Sequence, residues 1–321
     1  MMTHCKPYVI GVDMGGTNTV VGVVDTRGKI VATTAFKTRD CEEFSDFVES
    51  IAKACRRVMG EIGGPQMIAG IGVGAPNANY YSGNIENPAN LPWKGILPLA
   101  EMLYNTLDIP VAVTNDANAA AIGEMTYGAA RGMRDFIMIT LGTGVGSGIV
   151  VNGELVYGND GFAGELGHVK VRRGGRQCGC GQRGCLEAYC SATGVARTAL
   201  EFLDTHTEDS LLRKLTPSQI TSKDVYDAAI QGDAMAKEIF EYTGKIMGEA
   251  FADFVCFSAP EAIVLFGGLA QAGDLLIVPI RKSMEENLIQ NWKGKIKLIP
   301  SALPSSEAAI LGAAALGWKA Q

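Results

Sequence analysis

One pattern occurs twice in this chain and limits its fold more than any other feature. Near the start, "YVIGVDMGGTNTVVGVVDTRGKIVATTAFKT" runs strand, glycine turn, strand, turn at Arg27-Gly28, strand. From residue 136, "FIMITLGTGVGSGIVVNGELVYG" repeats that order, with its second turn at Asn152-Gly153. β-Branched runs favour extended backbone, and the glycines and asparagine close the turns between them. Two such hairpins, over 13–24 and 139–151, predict a duplicated architecture with one phosphate-facing loop from each half. Helical patterns alternate with the remaining strands, which gives the α/β class. A Rossmann unit passes from its first strand straight into a helix, so the hairpins point away from that design.

The rest of the chain fills in around the repeats. In "CEEFSDFVESIAKACRRVMGEIG" the apolar residues Phe44, Phe47, Val48, Ile51, Cys55 and Val58 recur at helical spacing. "MIAGIGVGAP" reads as a buried strand, followed by a long loop through Trp93, a helix near 96–107 and the strand "PVAVTND". "ANAAAIGEMTYGAA" predicts a helix that opens at Asn115 and Asp116. Helices fill much of 186–256, "AIVLFGGLAQAGD" is a strand entering a glycine turn, and an apolar helix closes the chain. A length of 321 residues favours two domains. With 47% hydrophobic and 19% charged residues the composition is that of a soluble globular protein. A net charge of −6 argues against nucleic-acid or anionic-membrane partners. "MMTHCKPYVIGVD" contains no apolar signal-peptide core, and no stretch reaches the roughly 18 apolar residues of a membrane span. The expected location is cytoplasmic, where thiols stay reduced.

Three groups of residues are candidates for chemistry. In "DMGGT", Gly15 and Gly16 let backbone N–H groups converge on an anion, Thr17 adds a hydroxyl, and Asp13 suits the water shell of Mg²⁺. A plain hairpin turn is the alternative, but "LGTGVGSG", with Thr143 and Gly144, offers a second turn to grip a triphosphate. Neither has the lysine of a P-loop. Asp116 stands where a buried strand gives way to a helix, and is either a general base or, like Asn115, a helix cap. Finally, His168, Cys178, Cys180 and Cys185 fall within eighteen residues. They form a metal site, a disulfide knot or a reactive thiol group. One nitrogen and three sulfurs are a structural Zn²⁺ set, and the Cys-x-x-Cys of a thioredoxin-like pair is missing. Glu165 and Glu187 flank the cluster, as solvated surface carboxylates or as ligand contacts.

"DMGGT", "GVGAP", "NDANAAAIGE", "LGTGVGSG", "GFAGELGHV" and "CGCGQRGCLE" occur in the order found in the ROK family of repressors, uncharacterised reading frames and sugar kinases. The resemblance runs from about residue 8 to the C-terminus. It implies an actin-like, ribonuclease-H-like ATPase fold: two α/β domains around a central cleft, residues 1–117 with 305–321 forming the smaller and 118–304 the larger. It implies ATP-dependent phosphorylation of a hexose, D-glucose at its 6-hydroxyl, with fructose, allose, mannose, N-acetylmannosamine or N-acetylglucosamine as alternatives. By the same resemblance Asp116 is the general base, and Asn90, Asn115, Glu165, His168 and Glu187 bind the sugar. Asp13, Gly15, Gly16, Thr17, Thr143 and Gly144 face phosphate or Mg²⁺, and Gly267 and Gly268 the adenosine. The Cys/His spacing matches the ROK pattern for structural zinc, with His168 serving both metal and sugar. Pro76-Asn77 replaces the family's Pro-Gly, and Asn77 is expected to keep the left-handed turn. A homodimer is the expected assembly. A ROK repressor would carry a helix-turn-helix domain of about 60–80 residues ahead of this fold, and only twelve residues precede Asp13.

Overall fold

The computed structural model describes residues 6–88, 91–304 and 307–320. The chain opens with three strands, β1 (Tyr8–Met14), β2 (Asn18–Asp25) and β3 (Ile30–Lys37), followed by α1 (Phe44–Gly60) and β4 (Ile68–Gly74). A short hairpin of β5 (Ile85–Glu86) and β6 (Ile96–Leu97) precedes α2 (Leu99–Leu107), β7 (Val111–Thr114) and α3 (Asp116–Tyr127). The pattern then restarts with β8 (Phe136–Leu141), β9 (Val145–Val151) and β10 (Glu154–Leu155). Four helices follow: α4 (Glu187–Cys190), α5 (Ala192–Thr205), α6 (Ser222–Ile230) and α7 (Ala234–Ser258). The chain closes with β11 (Ala262–Phe266), α8 (Asp274–Asn287), β12 (Lys297–Pro300) and α9 (Ala308–Gly317).

The expected duplication is present in the strand order itself. One sheet runs β3-β2-β1-β4-β7 and the other β10-β9-β8-β11-β12. In each, the first three strands in sequence form an antiparallel meander, and two later strands join parallel to the first. Parallel neighbours need crossover connections, which α1, α2, α7 and α8 help to supply. α1 is amphipathic and buries Phe47, Val48, Ile51, Cys55 and Val58 against the first sheet. Around the second sheet, α7 and α8 build the larger core, with Phe240, Phe251 and Phe254 fully buried.

Two small-residue helices join the halves. α9 is apolar all round because it is buried all round, between the first sheet and α3. It sits directly on the backbone of β1 and β4: a Cβ on Gly72 would lie 1.9 Å from the Ala313 carbonyl oxygen. At its crossing with α3, a Cβ on Gly312 would lie 2.5 Å from the Ala119 carbonyl oxygen. α3 in turn lies on β9, where Gly146 and Gly148 make room for Ala117 and Ala121. The catalytic-candidate helix is therefore fixed against both halves by backbone-to-backbone contact.

The loop expected through Trp93 has more order than its sequence suggests. β5 and β6 pair within it, and Pro98 delays the helix expected near 96 to Leu99. Trp93 is buried against Phe44 and Phe47, its Nε1 donating to the Glu42 carbonyl at 3.0 Å. Asn77 holds φ +55°, the left-handed turn expected of it, and its Nδ2 donates to the Glu86 carbonyl at 3.1 Å. Among the described residues no helix is long and apolar enough to cross a membrane.

Candidate active site

Both glycine turns are held by their carbonyls. In the β1–β2 turn, Thr38 Oγ1 donates to Gly15 O at 2.8 Å, Arg39 Nε to Gly16 O at 3.2 Å, and Thr38 N to Thr17 O at 2.9 Å. A trans peptide points its N–H opposite its C=O, so the N–H groups of Gly16 and Thr17 face away from Thr38 and Arg39. The β8–β9 turn repeats the device. Ala192 N donates to Gly142 O at 2.9 Å and Thr193 Oγ1 to Thr143 O at 2.8 Å, which turns the N–H groups of Thr143 and Gly144 outward. Converging backbone N–H groups of this kind bind phosphate oxygens. Gly267 and Gly268 follow β11, where a Cβ on Gly267 would lie 2.4 Å from the Leu141 carbonyl oxygen beside the second turn.

Between the turns lie the carboxylates. Asn115 takes the N-cap of α3, its Oδ1 accepting from Ala117 N at 2.7 Å, and Asp116 begins the helix with Oδ1 2.8 Å from the same N–H. Asp116 opens to solvent, yet protein packs closely enough around it that burial raises its pKa, opposed by the backbone N–H donors. Asp13, at the end of β1, is pushed up to about 6, by burial first and by the charge of Asp116 second. Burial also raises Glu165, the charge of His168 opposes it, and Asp116 and Glu187 push it up further. Carboxylates from both halves thus share one electrostatic field. Such a site suits hydroxyl donors and a divalent cation.

Glu165 follows β10 in a loop pinned to β9. Ser147 Oγ donates to Gly164 O and accepts from Leu166 N at 3.0 Å. Glu187, at the start of α4, accepts from Val145 N at 3.0 Å and from Cys178 Sγ at 3.3 Å. It therefore ties the second glycine turn to the cysteine loop, and a Cβ on Gly144 would lie 2.3 Å from its Oε2.

His168, Cys178, Cys180 and Cys185 bring their ligand atoms within 4.8 Å of one another. A tetrahedral ion with bonds of about 2.3 Å sets its ligands about 3.8 Å apart. Cys178 Sγ lies 3.8 Å from His168 Nδ1, and Cys180 Sγ lies 3.6 Å from Cys185 Sγ. The donor set and its spacing fit zinc. Lys170 Nζ donates to Cys185 Sγ at 3.0 Å. The other nitrogen of His168, Nε2, lies 4.0 Å from Glu165 Oε2, so one ring faces both the cysteines and the carboxylates.

Residues 9–320 match the ROK family along nearly their whole length. The chain belongs to the ROK family. It is 39% identical over 282 residues to a glucokinase of Halalkalibacterium halodurans, covering 87% of this chain and 85% of that one. A glucokinase of Thermotoga maritima is 35% identical over 315 residues, with 97% of each chain covered. Among solved structures, a ROK family glucokinase of Streptomyces griseus in complex with glucose and AMPPNP superposes with a TM-score of 0.79 at 34% identity, covering 97% of this chain and 99% of that one. The two duplicated sheets are those of the actin-like ATPase fold.

Within this ROK chain the structure gathers Asp13, Asp116, Glu165, His168 and Glu187 into one region, with the two glycine turns beside them. Asn90 lies outside the described residues. Four supporting residues escaped the sequence reading. Thr38, Arg39 and Thr193 brace the turns, and Arg176 anchors the cysteine loop. The Arg176 guanidinium is buried over the Tyr189 ring at 4.5 Å, with Nε 2.9 Å from Glu201 Oε1 and Nη1 3.2 Å from the Ala188 carbonyl. Thr38 reaches the first turn only through the β2–β3 register, which pairs Asn18 with Lys37. Nothing near Thr38 in the sequence signals that pairing.

Proposed function

We propose that this chain transfers the γ-phosphoryl group of ATP to the 6-hydroxyl of D-glucose. One observation carries the reading: Asp13 and Asp116 of the first half and Glu165 of the second share one electrostatic field beside two glycine turns whose N–H groups face outward. The glucokinase names of the relatives and the glucose and AMPPNP of the solved neighbour support it.

In this reading Asp116 accepts the hydroxyl proton as phosphoryl transfer proceeds. Its raised pKa makes it a stronger base than an ordinary carboxylate. Asp13 would hold the water shell of an Mg²⁺ ion arriving with ATP, and that ion would supply neutralisation of phosphate charge. The N–H groups of Gly16, Thr17, Thr143 and Gly144 stabilise charge spreading over the transferred group. Asn115, Glu165, His168 and Glu187 hold the sugar hydroxyls. The four Cys/His ligands would leave no open position on a zinc ion, and the metal's contribution would be structural. Residues 1–117 with 305–321 and residues 118–304 act as two domains that close on the ligands; the division of the sheets supports this.

An ADP-release assay across glucose, fructose, allose, mannose, N-acetylmannosamine and N-acetylglucosamine tests the substrate. Glucose is expected to give the highest kcat/KM, by about tenfold or more, the least that losing one net hydrogen bond of about 1.5 kcal/mol provides. A comparable preference for another sugar would overturn the choice of glucose.

A further inference from the structure

Away from the reacting groups, the loop after β4 touches the loop after β10 through three adjacent contacts. Tyr80 and Tyr157 stack with ring centroids 4.0 Å apart and planes 7° from parallel. Asn79 Nδ2 donates to the Asp160 carbonyl at 2.7 Å, and Tyr81 Oη donates to the Gly158 carbonyl at 2.9 Å. The fit is close: Gly161 has φ +91°, and a Cβ there would lie 2.5 Å from Asn79 Oδ1. Asn79 is 6% exposed, its Oδ1 accepting from Tyr81 N at 3.0 Å, so the turn presenting the tyrosines is rigid.

What this contact governs follows from what lies next along the chain. The Tyr157 carbonyl accepts from Ala163 N at 3.0 Å, closing the loop that ends at Glu165. Ser147 fixes the other end of that loop to β9. Opposite, Tyr80 follows Asn77, whose left-handed turn leaves β4. The Tyr157 phenol also faces the buried Thr114 hydroxyl. Thr114 immediately precedes Asn115 and Asp116.

We propose that Tyr157 is a positioning residue: stacked on Tyr80 from the opposite half, it sets the place of the Glu165 loop and thereby the affinity for the sugar. The inference rests on the reading of Glu165 as a sugar contact. A stacked aromatic pair holds its two partners together beyond what their buried area alone provides. Tyr157→Ala removes the stack and also frees the loop. It is expected to raise KM for glucose about tenfold, with kcat and KM for ATP within about twofold, the signature of lost uniform sugar binding. Tyr157→Phe keeps the stack and is expected to stay within about twofold of the parent in all three constants.

Tyr80→Ala is expected to reproduce the effect from the other half. The double variant should be no worse than either single one, because residues that act through each other are not additive. Tyr80→Ala carries the test alone if Tyr157→Ala does not fold. Unchanged KM for glucose in both alanine variants, or fully additive effects, would overturn the inference. Glu165→Gln separates the two readings. If it raises KM for glucose while the tyrosine variants do not, the positioning role fails and the sugar site stands. If it leaves KM unchanged, the sugar site itself fails and the inference goes with it.

Discussion

Asp13 sets stability against chemistry at a single position. Its carboxyl is held at about 6, against 3.8 for an unperturbed aspartate, chiefly by burial and then by Asp116. Because the folded pKa is raised, the group's contribution to stability is fully present below the unfolded value and is lost as pH rises through about 6. At neutral pH that ionised form costs the ligand-free fold roughly 2–3 kcal/mol. Asp13→Asn is therefore expected to raise Tm at pH 7.5 by several degrees, with the gain shrinking from pH 6 to pH 4 and kinase activity lost. Thermal melts across that range check it, and a variant less stable than the parent at pH 7.5 would refute it. Asp13 and its glycines were legible in the sequence because strand, acid and turn lie together in "DMGGT". The local sequence left open whether Asp116 or Asn115 capped the helix. The structure gives the cap to Asn115, whose side chain accepts from Ala117 N.

At the scale of elements, the glycine turns and the cysteine loop share one arrangement. Each is a flexible stretch held from behind by a residue distant in sequence: Thr38 and Arg39 for the first turn, Thr193 and Glu187 for the second, Arg176 for the loop. The flexible stretches have local signatures, since glycine pairs and Cys/His spacing are visible in any linear reading. Their braces have none. Thr38 is placed by strand register, and Arg176 by a pocket that Tyr189, Ala188 and Glu201 form only after α4 and α5 pack. The β5–β6 pair was unreadable for a related reason, because two-residue strands carry no periodicity. In the proposed function the cysteine loop would also connect the metal to the sugar, since Cys178 touches Glu187 and His168 faces Glu165. Cys180→Ser is expected to lower zinc content from about one ion per chain toward zero and to raise KM for glucose severalfold. Elemental analysis paired with kinetics checks this, and zinc loss with unchanged KM would break the link.

Across the whole molecule, duplication explains why one ligand can be held from two sides. Two sheets of the same strand order present equivalent turns, and α3 and α9 join the halves through contacts so close that only glycine and alanine fit. The sequence showed both hairpins and the alanine-rich helices, so the α/β class and the duplication were readable in advance. How α9 lies across the first sheet was not, because an all-apolar helix indicates burial without saying against what. That packing places Asp116 at the junction of the halves, at the start of the helix both of them hold. Asp116 as the proton acceptor is the centre of the proposed function. Asp116→Asn keeps the size of the side chain and removes its basicity. Glucose binding by calorimetry together with kcat in the ADP-release assay measures the two properties separately. The account predicts glucose affinity within about threefold of the parent and kcat lower by about a thousandfold, within the range general-base removal produces. A near-normal kcat in Asp116→Asn would contradict it.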